Sequence, residues 1–351
     1  MATDQSASSR HWHGTACACG AIDVHCHVVP FSFPDYLAGL APRDWPAMVA
    51  ADGCRRTMVV DGRNYRTLDG AAWDAERRLE DMERMGIAVQ ALSPMPELFS
   101  YWMDAVSAAE LLRYVNDTIA AMVEKSPSHF VGLGAVPLQD VGAAIAELQR
   151  LIGDHGFAGV EIGSNVNGAA VGDPRFLPFF AEAERLGAAV FVHAVRPAGM
   201  DRLVGPAQLQ QVLAYPTDVG LAAASVLTGG LMRAHPKLRI AFSHGGGTLA
   251  SLLPRLREGA KVFGPVADAV AGDPYAEARK LYVDSLVYDA PTLRHLATIF
   301  GTDRIVVGTD YPFNFHERAP LGRIEAAFED PAVRARLTAE NAAAFLGIEE
   351  H

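Results

Sequence analysis

A chain of 351 residues has room for one large barrel or two ordinary domains, and a composition half hydrophobic and one fifth charged is globular with ample core. The formal charge of −11 argues against nucleic acid and anionic membranes as partners, although one or two local arginines still let a pocket take an anion. No apolar run reaches the ~20 residues of a membrane span. Residues 1–20 are polar, with Arg10, His11 and His13 and no apolar segment, so they read as a disordered tail and not a signal peptide. His11, His13, Cys17 and Cys19 lack the C-x2-C spacing of a zinc site. With Cys26 and Cys54 there are four cysteines, too few for a disulfide framework, which fits a reduced, cytoplasmic protein.

Apolar, β-branched runs then recur at 21–29, 88–94, 131–137, 158–163, 189–194, 239–244, 281–286 and 304–310. Amphipathic stretches separate them at 75–85, 108–124, 143–153, 174–186, 221–234 and 291–300, and 331–346 reads as a closing helix. Eight strands alternating with helices predict βα units around a parallel sheet, an α/β fold of the (β/α)8 barrel type. No linker interrupts residues 21–351, which read as one domain. The long connection 31–70 is an insertion after the first strand, with Asp61-Gly62 as the turn of a small hairpin. A loop of that length on the carboxyl face of a barrel is expected to be functional.

The chemistry sits at strand ends. In Asp23-Val24-His25-Cys26-His27, two histidines at i and i+2 of a strand point to the same face. Phe191-Val192-His193, Phe242-Ser243-His244 and Val307-Gly308-Thr309-Asp310 each end an apolar run with one further His or Asp. A parallel barrel places its reactive groups in this way. Any one of these alone reads as a satisfied core histidine or a helix cap; together they define a site. His25, His27, His193 and Asp310 form a set of neutral imidazoles and a carboxylate suited to one divalent ion, zinc first and manganese second. His244 is left over and is free to move a proton, its ordinary pKa being ~6.5.

D-x-H-x-H at 23–27, the histidines after the fifth and sixth strands and the Asp after the eighth resemble the amidohydrolase superfamily. Two-metal members of that superfamily carry a carbamylated Lys after the fourth strand. None of the four lysines here (Lys125, Lys237, Lys261, Lys280) lies there; Glu161 occupies that strand, and a single-metal site is expected. The resemblance narrows, over most of residues 21–348, to the branch of the 2-amino-3-carboxymuconate-6-semialdehyde decarboxylases. It is carried by Val89–Ser93, Phe99-Ser100-Tyr101-Trp102, Phe130–Gly134, His244-Gly245-Gly246-Gly247 and Gly308-Thr309-Asp310-Tyr311-Pro312-Phe313.

That resemblance implies a metal-dependent decarboxylase without an organic cofactor, acting on a small carboxylate. It implies that Arg66 and Arg255 hold carboxylates, that Tyr65, Trp102 and Phe313 contact the substrate, and that Arg255 reaches the site of a second subunit in a homodimer. Bidentate arginine contacts suit a carboxylate chemically. Two positions depart from the family: a Pro-Trp pair after the fifth-strand His is Ala194-Val195 here, followed by Arg196, and a second Trp corresponds to Gln211. Both changes concern aromatic walls and therefore substrate identity. Arg196 is either a further carboxylate contact or surface charge. A hydroxybenzoate-type decarboxylase, a hydrolase or hydratase on the same metal scaffold, and a non-catalytic binding protein stand as competing readings; CO2 release from candidate acids separates the two decarboxylase readings from the hydrolase or hydratase.

Overall fold

The computed structural model describes residues 20–36 and 42–348. His11, His13, Cys17 and Cys19 fall outside them; Cys26 is buried, Cys54 is exposed, and both are free thiols. Eight parallel strands form one sheet in chain order: β1 Ala21–Val28, β2 Ile87–Pro94, β3 Phe130–Gly134, β4 Gly159–Gly163, β5 Ala189–His193, β6 Arg239–Phe242, β7 Tyr282–Asp284 and β8 Ile305–Val306. Bridges from Asp23 to Val307 and from Cys26 to Tyr311 join the last strand to the first. Backbone bonds Val24 N to Val307 O (2.9 Å) and His27 N to Tyr311 O (2.7 Å) close the barrel there.

Helices pack around it, among them α1 Ala75–Met85, α2 Ala105–Lys125, α3 Val141–Gly153, α4 Leu177–Leu186, α5 Tyr215–Thr228, α6 Leu249–Val262, α7 Ala290–Phe300 and α8 Asn341–Leu346; the periodicity predicts all but α6, and α5 starts earlier than the expected 221–234. The caps explain their starts: Asp74, Asp104, Asp140 and Asp289 each accept a bond from a backbone N–H of the first turn of α1, α2, α3 and α7. Ile22, Val24, Val89, Ala91, Leu133 and Phe191 pack together with Phe345 and Leu346 of α8. Outward strand residues such as Val160, Ile162, Val190 and Phe242 instead join Leu112, Phe179 and Val226 of the helices. The two clusters follow the period-two alternation of a strand.

β1 departs from that alternation. Its register against β2 shifts between Asp23 and Cys26. Val24 packs in the barrel interior, and the ring of His25, the very next residue, lies 5.1 Å from that of interior Phe191. A bulge of this kind re-aims a side chain at the rim of a barrel, and here it turns both histidines inwards.

The insertion is larger than the expected hairpin. Arg56–Val60 and Arg63–Leu68 do pair around Asp61-Gly62, whose φ values of 52° and 68° are those of a type I′ turn. A third strand, Ala47–Ala50, adds to its edge. Only Met48 of that strand is buried, so it carries no alternating pattern to read.

Candidate metal centre and substrate pocket

The four expected ligands converge. One donor atom from each of His25, His27, His193 and Asp310 lies within 4.8 Å of every other. The Nε2 atoms of the three histidines and Oδ1 of Asp310 are buried without a hydrogen-bond partner. His25 Nε2 and His27 Nε2 stand 3.4 and 3.0 Å from Asp310 Oδ1, face to face without good hydrogen-bond geometry. Four buried lone-pair donors aimed at one point and satisfied by nothing else fit a metal ion.

Each ring is held by its other nitrogen. His25 Nδ1 lies 2.6 Å from Asp284 Oδ2, His193 Nδ1 2.8 Å from Ala194 O, and His27 Nδ1 3.3 Å from Pro94 O. Such contacts fix the tautomer that presents Nε2 to a metal. Burial alone would depress the His25 pKa, but the bonded Asp284 carboxylate and the facing Asp310 carboxylate outweigh it and raise it to about 10. The site therefore favours a cation at that point. Glu161, fully buried on β4, places Oε2 3.6 Å from His27 Nδ1 and has no hydrogen-bond partner on either oxygen.

Asp284 is the residue that sequence reasoning missed. It ends an apolar run at the carboxyl end of β7, as the ligands do on their strands. Besides orienting His25, its Oδ1 accepts from the N–H groups of Gly245 (2.7 Å) and Leu286 (3.2 Å), tying the 244–247 turn to the metal ligands. The backbone passes so close here that a Cβ on Gly308 would meet Asp284 Cβ at 2.7 Å and His25 Cβ at 2.9 Å. Asp23, the first residue of the motif, is no ligand. It accepts from Thr309 Oγ1 at 2.6 Å and from His25 N at 3.1 Å, locking β1 to the β8 end. Arg78 of α1, fully buried, ties β1 to β2 by donating to Gln90 Oε1 and His27 O.

His244 sits beside the ligands and outside their set, its ring centroid 5.4 Å from His25 and 5.0 Å from His193. Burial and the neighbouring His25 lower its pKa to about 4, so the imidazole is neutral near pH 7.

A cavity of about 310 Å³ opens over this centre, lined by His193, His244 and Asp310 at its floor. That volume is at the small end of ligand pockets. Arg66 and Tyr65 enter from the insertion and Phe313 from the β8 loop. The Arg66 guanidinium lies 4.0 Å from the Phe313 ring centroid, and Phe313 in turn stacks on His27. Glu97, Tyr215 and Tyr288 line the same cavity and were not singled out by sequence.

Other expected contacts lie elsewhere. Trp102 lines a second cavity, with Val195, Asn165 and Asp218, and the Arg196 guanidinium covers its ring at 3.2 Å. Of the two positions that depart from the family, Gln211 lines the metal-side cavity and Val195 does not. Arg255 lies exposed on α6 and is not among the residues lining the pocket.

The family model described as Amidohydrolase matches residues 22–348. Over 330 residues the chain is 34% identical to the 2-amino-3-carboxymuconate-6-semialdehyde decarboxylase of Dictyostelium discoideum, covering 93% of this chain and 92% of that protein. It is 30% identical to the gamma-resorcylate decarboxylase of Rhizobium radiobacter over 72% of this chain and 82% of that one. Among solved structures, the IDCase of Metarhizium anisopliae superposes with a TM-score of 0.79 at 20% identity, covering 93% and 97% of the two chains, a likeness of fold. On this footing the chain belongs to the amidohydrolase family, in its branch of metal-dependent decarboxylases.

Proposed function

We propose that the protein removes CO2, without oxidation, from 2-amino-3-carboxymuconate-6-semialdehyde or a closely related unsaturated or aromatic acid, using one divalent metal per chain. The observation that carries the proposal is that a cluster of four unsatisfied metal donors opens, through His193 and Asp310, on one small cavity that also holds a neutral histidine outside the donor set and Arg66. His25, His27, His193 and Asp310 would hold the ion, and three imidazoles with a carboxylate suit zinc. When bound, it supplies Lewis acidity to the electron-rich end of the substrate.

The chain's own residues do the rest. Arg66 anchors a substrate carboxylate through a two-pronged charged contact, and Phe313 backs its guanidinium. Breaking the C–C bond releases CO2 and leaves an electron pair on carbon, which a proton must quench. His244, neutral and half-buried at the cavity floor, takes up a proton from solvent and passes it to that carbon, so that each turnover consumes one proton and leaves the imidazole neutral again. Leu286, Val287 and Phe315 line the cavity and limit water around the developing carbanion.

Arg255 is proposed to act across a homodimer interface. Leu252, one turn before it, is 39% exposed, and Val262 and Phe263 at the end of α6 are 74% and 60% exposed, an apolar surface of the kind that subunits cover. A cytoplasmic location is part of the same reading, resting on the few cysteines of the chain. The test is CO2 release from a panel of candidate acids, read beside loss of substrate ultraviolet absorbance. Release from the muconate semialdehyde and its analogues supports the proposal. Turnover of lactones or amides with no CO2 from any acid would assign the site to hydrolysis.

A further inference from the structure

We infer that Glu97 is a specificity residue, selecting acids that bear an amino or hydroxyl group close to the carboxylate; the inference rests on the decarboxylase reading of the same cavity. Glu97 lines the cavity alongside Arg66, His193 and His244, and its side chain is only 12% exposed. A carboxylate in an anion-binding pocket opposes the substrate's own charge, so its presence there calls for a reason. One oxygen is engaged: Oε2 accepts from Tyr65 Oη at 3.0 Å. The other, Oε1, has only the Arg196 Nε at 4.0 Å, beyond hydrogen-bond reach, and Arg196 is itself stacked on Trp102.

Oε1 is thus an ionised or ionisable acceptor at the cavity wall with capacity to spare. The wall carries the complementary pair, a fixed cation in Arg66 and a fixed acceptor in Glu97, joined through Tyr65, which adjoins Arg66 in the chain and bonds Glu97. That pair reads a carboxylate and a neighbouring N–H or O–H donor together. A ligand lacking the donor leaves the Glu97 oxygen desolvated and unpaired, which is the strongest form of discrimination available to a polar site. Gln211, which lines the same cavity, is a neutral amide and cannot replace that charge.

The test is the affinity of the metal-loaded protein for benzoate, 2-aminobenzoate and 2-hydroxybenzoate by calorimetry, compared with Glu97→Gln and Glu97→Asp. The wild type should prefer the donor-bearing acids by about ten- to a hundredfold. Glu97→Gln should remove that preference, chiefly by tightening benzoate, which no longer leaves a charged oxygen unpaired, and Glu97→Asp should keep part of it. Metal content and the thermal midpoint establish that each variant is folded. Equal affinity of the wild type for all three acids, no measurable binding of any, or an equal loss for all three in Glu97→Gln would each overturn the inference. The readout is binding alone, so a failure of CO2 release in the substrate panel would remove the proposed reaction without deciding the role of Glu97.

Discussion

The floor and the wall of the cavity are built by different means. The floor takes His193, His244 and Asp310 from the carboxyl ends of β5 and β6 and the segment after β8, beside His25 and His27 of β1, where backbone pairing of neighbouring strands fixes each position. The wall takes Tyr65 and Arg66 from an edge strand of the insertion, Glu97 from a short turn after β2 and Gln211 from the segment before α5. A barrel holds its reactive ends rigidly and varies the loops above them. The floor here therefore defines a reaction class, and the wall defines which acid is admitted.

That division makes graded demands. His25→Ala or His193→Ala should break the floor outright, abolishing metal content and CO2 release together, as elemental analysis beside an activity assay will read. His244→Ala should keep the metal and lower kcat by about 10²–10⁴-fold, the usual contribution of a general acid–base group; an apo protein would instead make His244 a ligand. Arg66→Ala tests the wall and Arg255→Ala the proposed contact from a second subunit, each lowering kcat/KM by roughly ten- to a hundredfold with fold and metal intact. Mixing Arg255→Ala with a His25→Ala/His244→Ala protein should recover part of the activity, because one site of the mixed dimer unites an intact metal centre with the neighbour's arginine. No recovery despite confirmed subunit exchange would restrict Arg255 to its own chain or to no site. Asp284→Asn, which loosens His25 without removing it, should weaken metal affinity by about ten- to a hundredfold, measured by competition with a chelator.

The same division governs what the sequence reveals. Strand ends are legible because alternation and apolar runs announce where a side chain emerges, and all eight strands and all four converging donors were found that way. Asp284 carries the same signal at 281–284, and the pattern does not distinguish a residue that orients a ligand from one that is a ligand. The bulge in β1 is silent, since Ile22 and Val24 read as the face opposite His25 and His27 until the register shift brings Val24 and His25 to the same side. Loop-borne contacts are the least legible. Nothing in the chain's periodicity says that Glu97 faces the metal cavity or that Trp102 lines the neighbouring one instead. Those positions depend on how connections of different length fold over the barrel mouth, which is a property of tertiary packing.

The most direct test of the account is a titration of metal-free protein with zinc, following CO2 release from the muconate semialdehyde. The account predicts that activity rises in proportion to added metal and levels off at one ion per chain, with His25, His27, His193 and Asp310 holding it. A rise that continues to two ions per chain would contradict it, bringing Glu161 into a second site, and so would full activity with no metal bound.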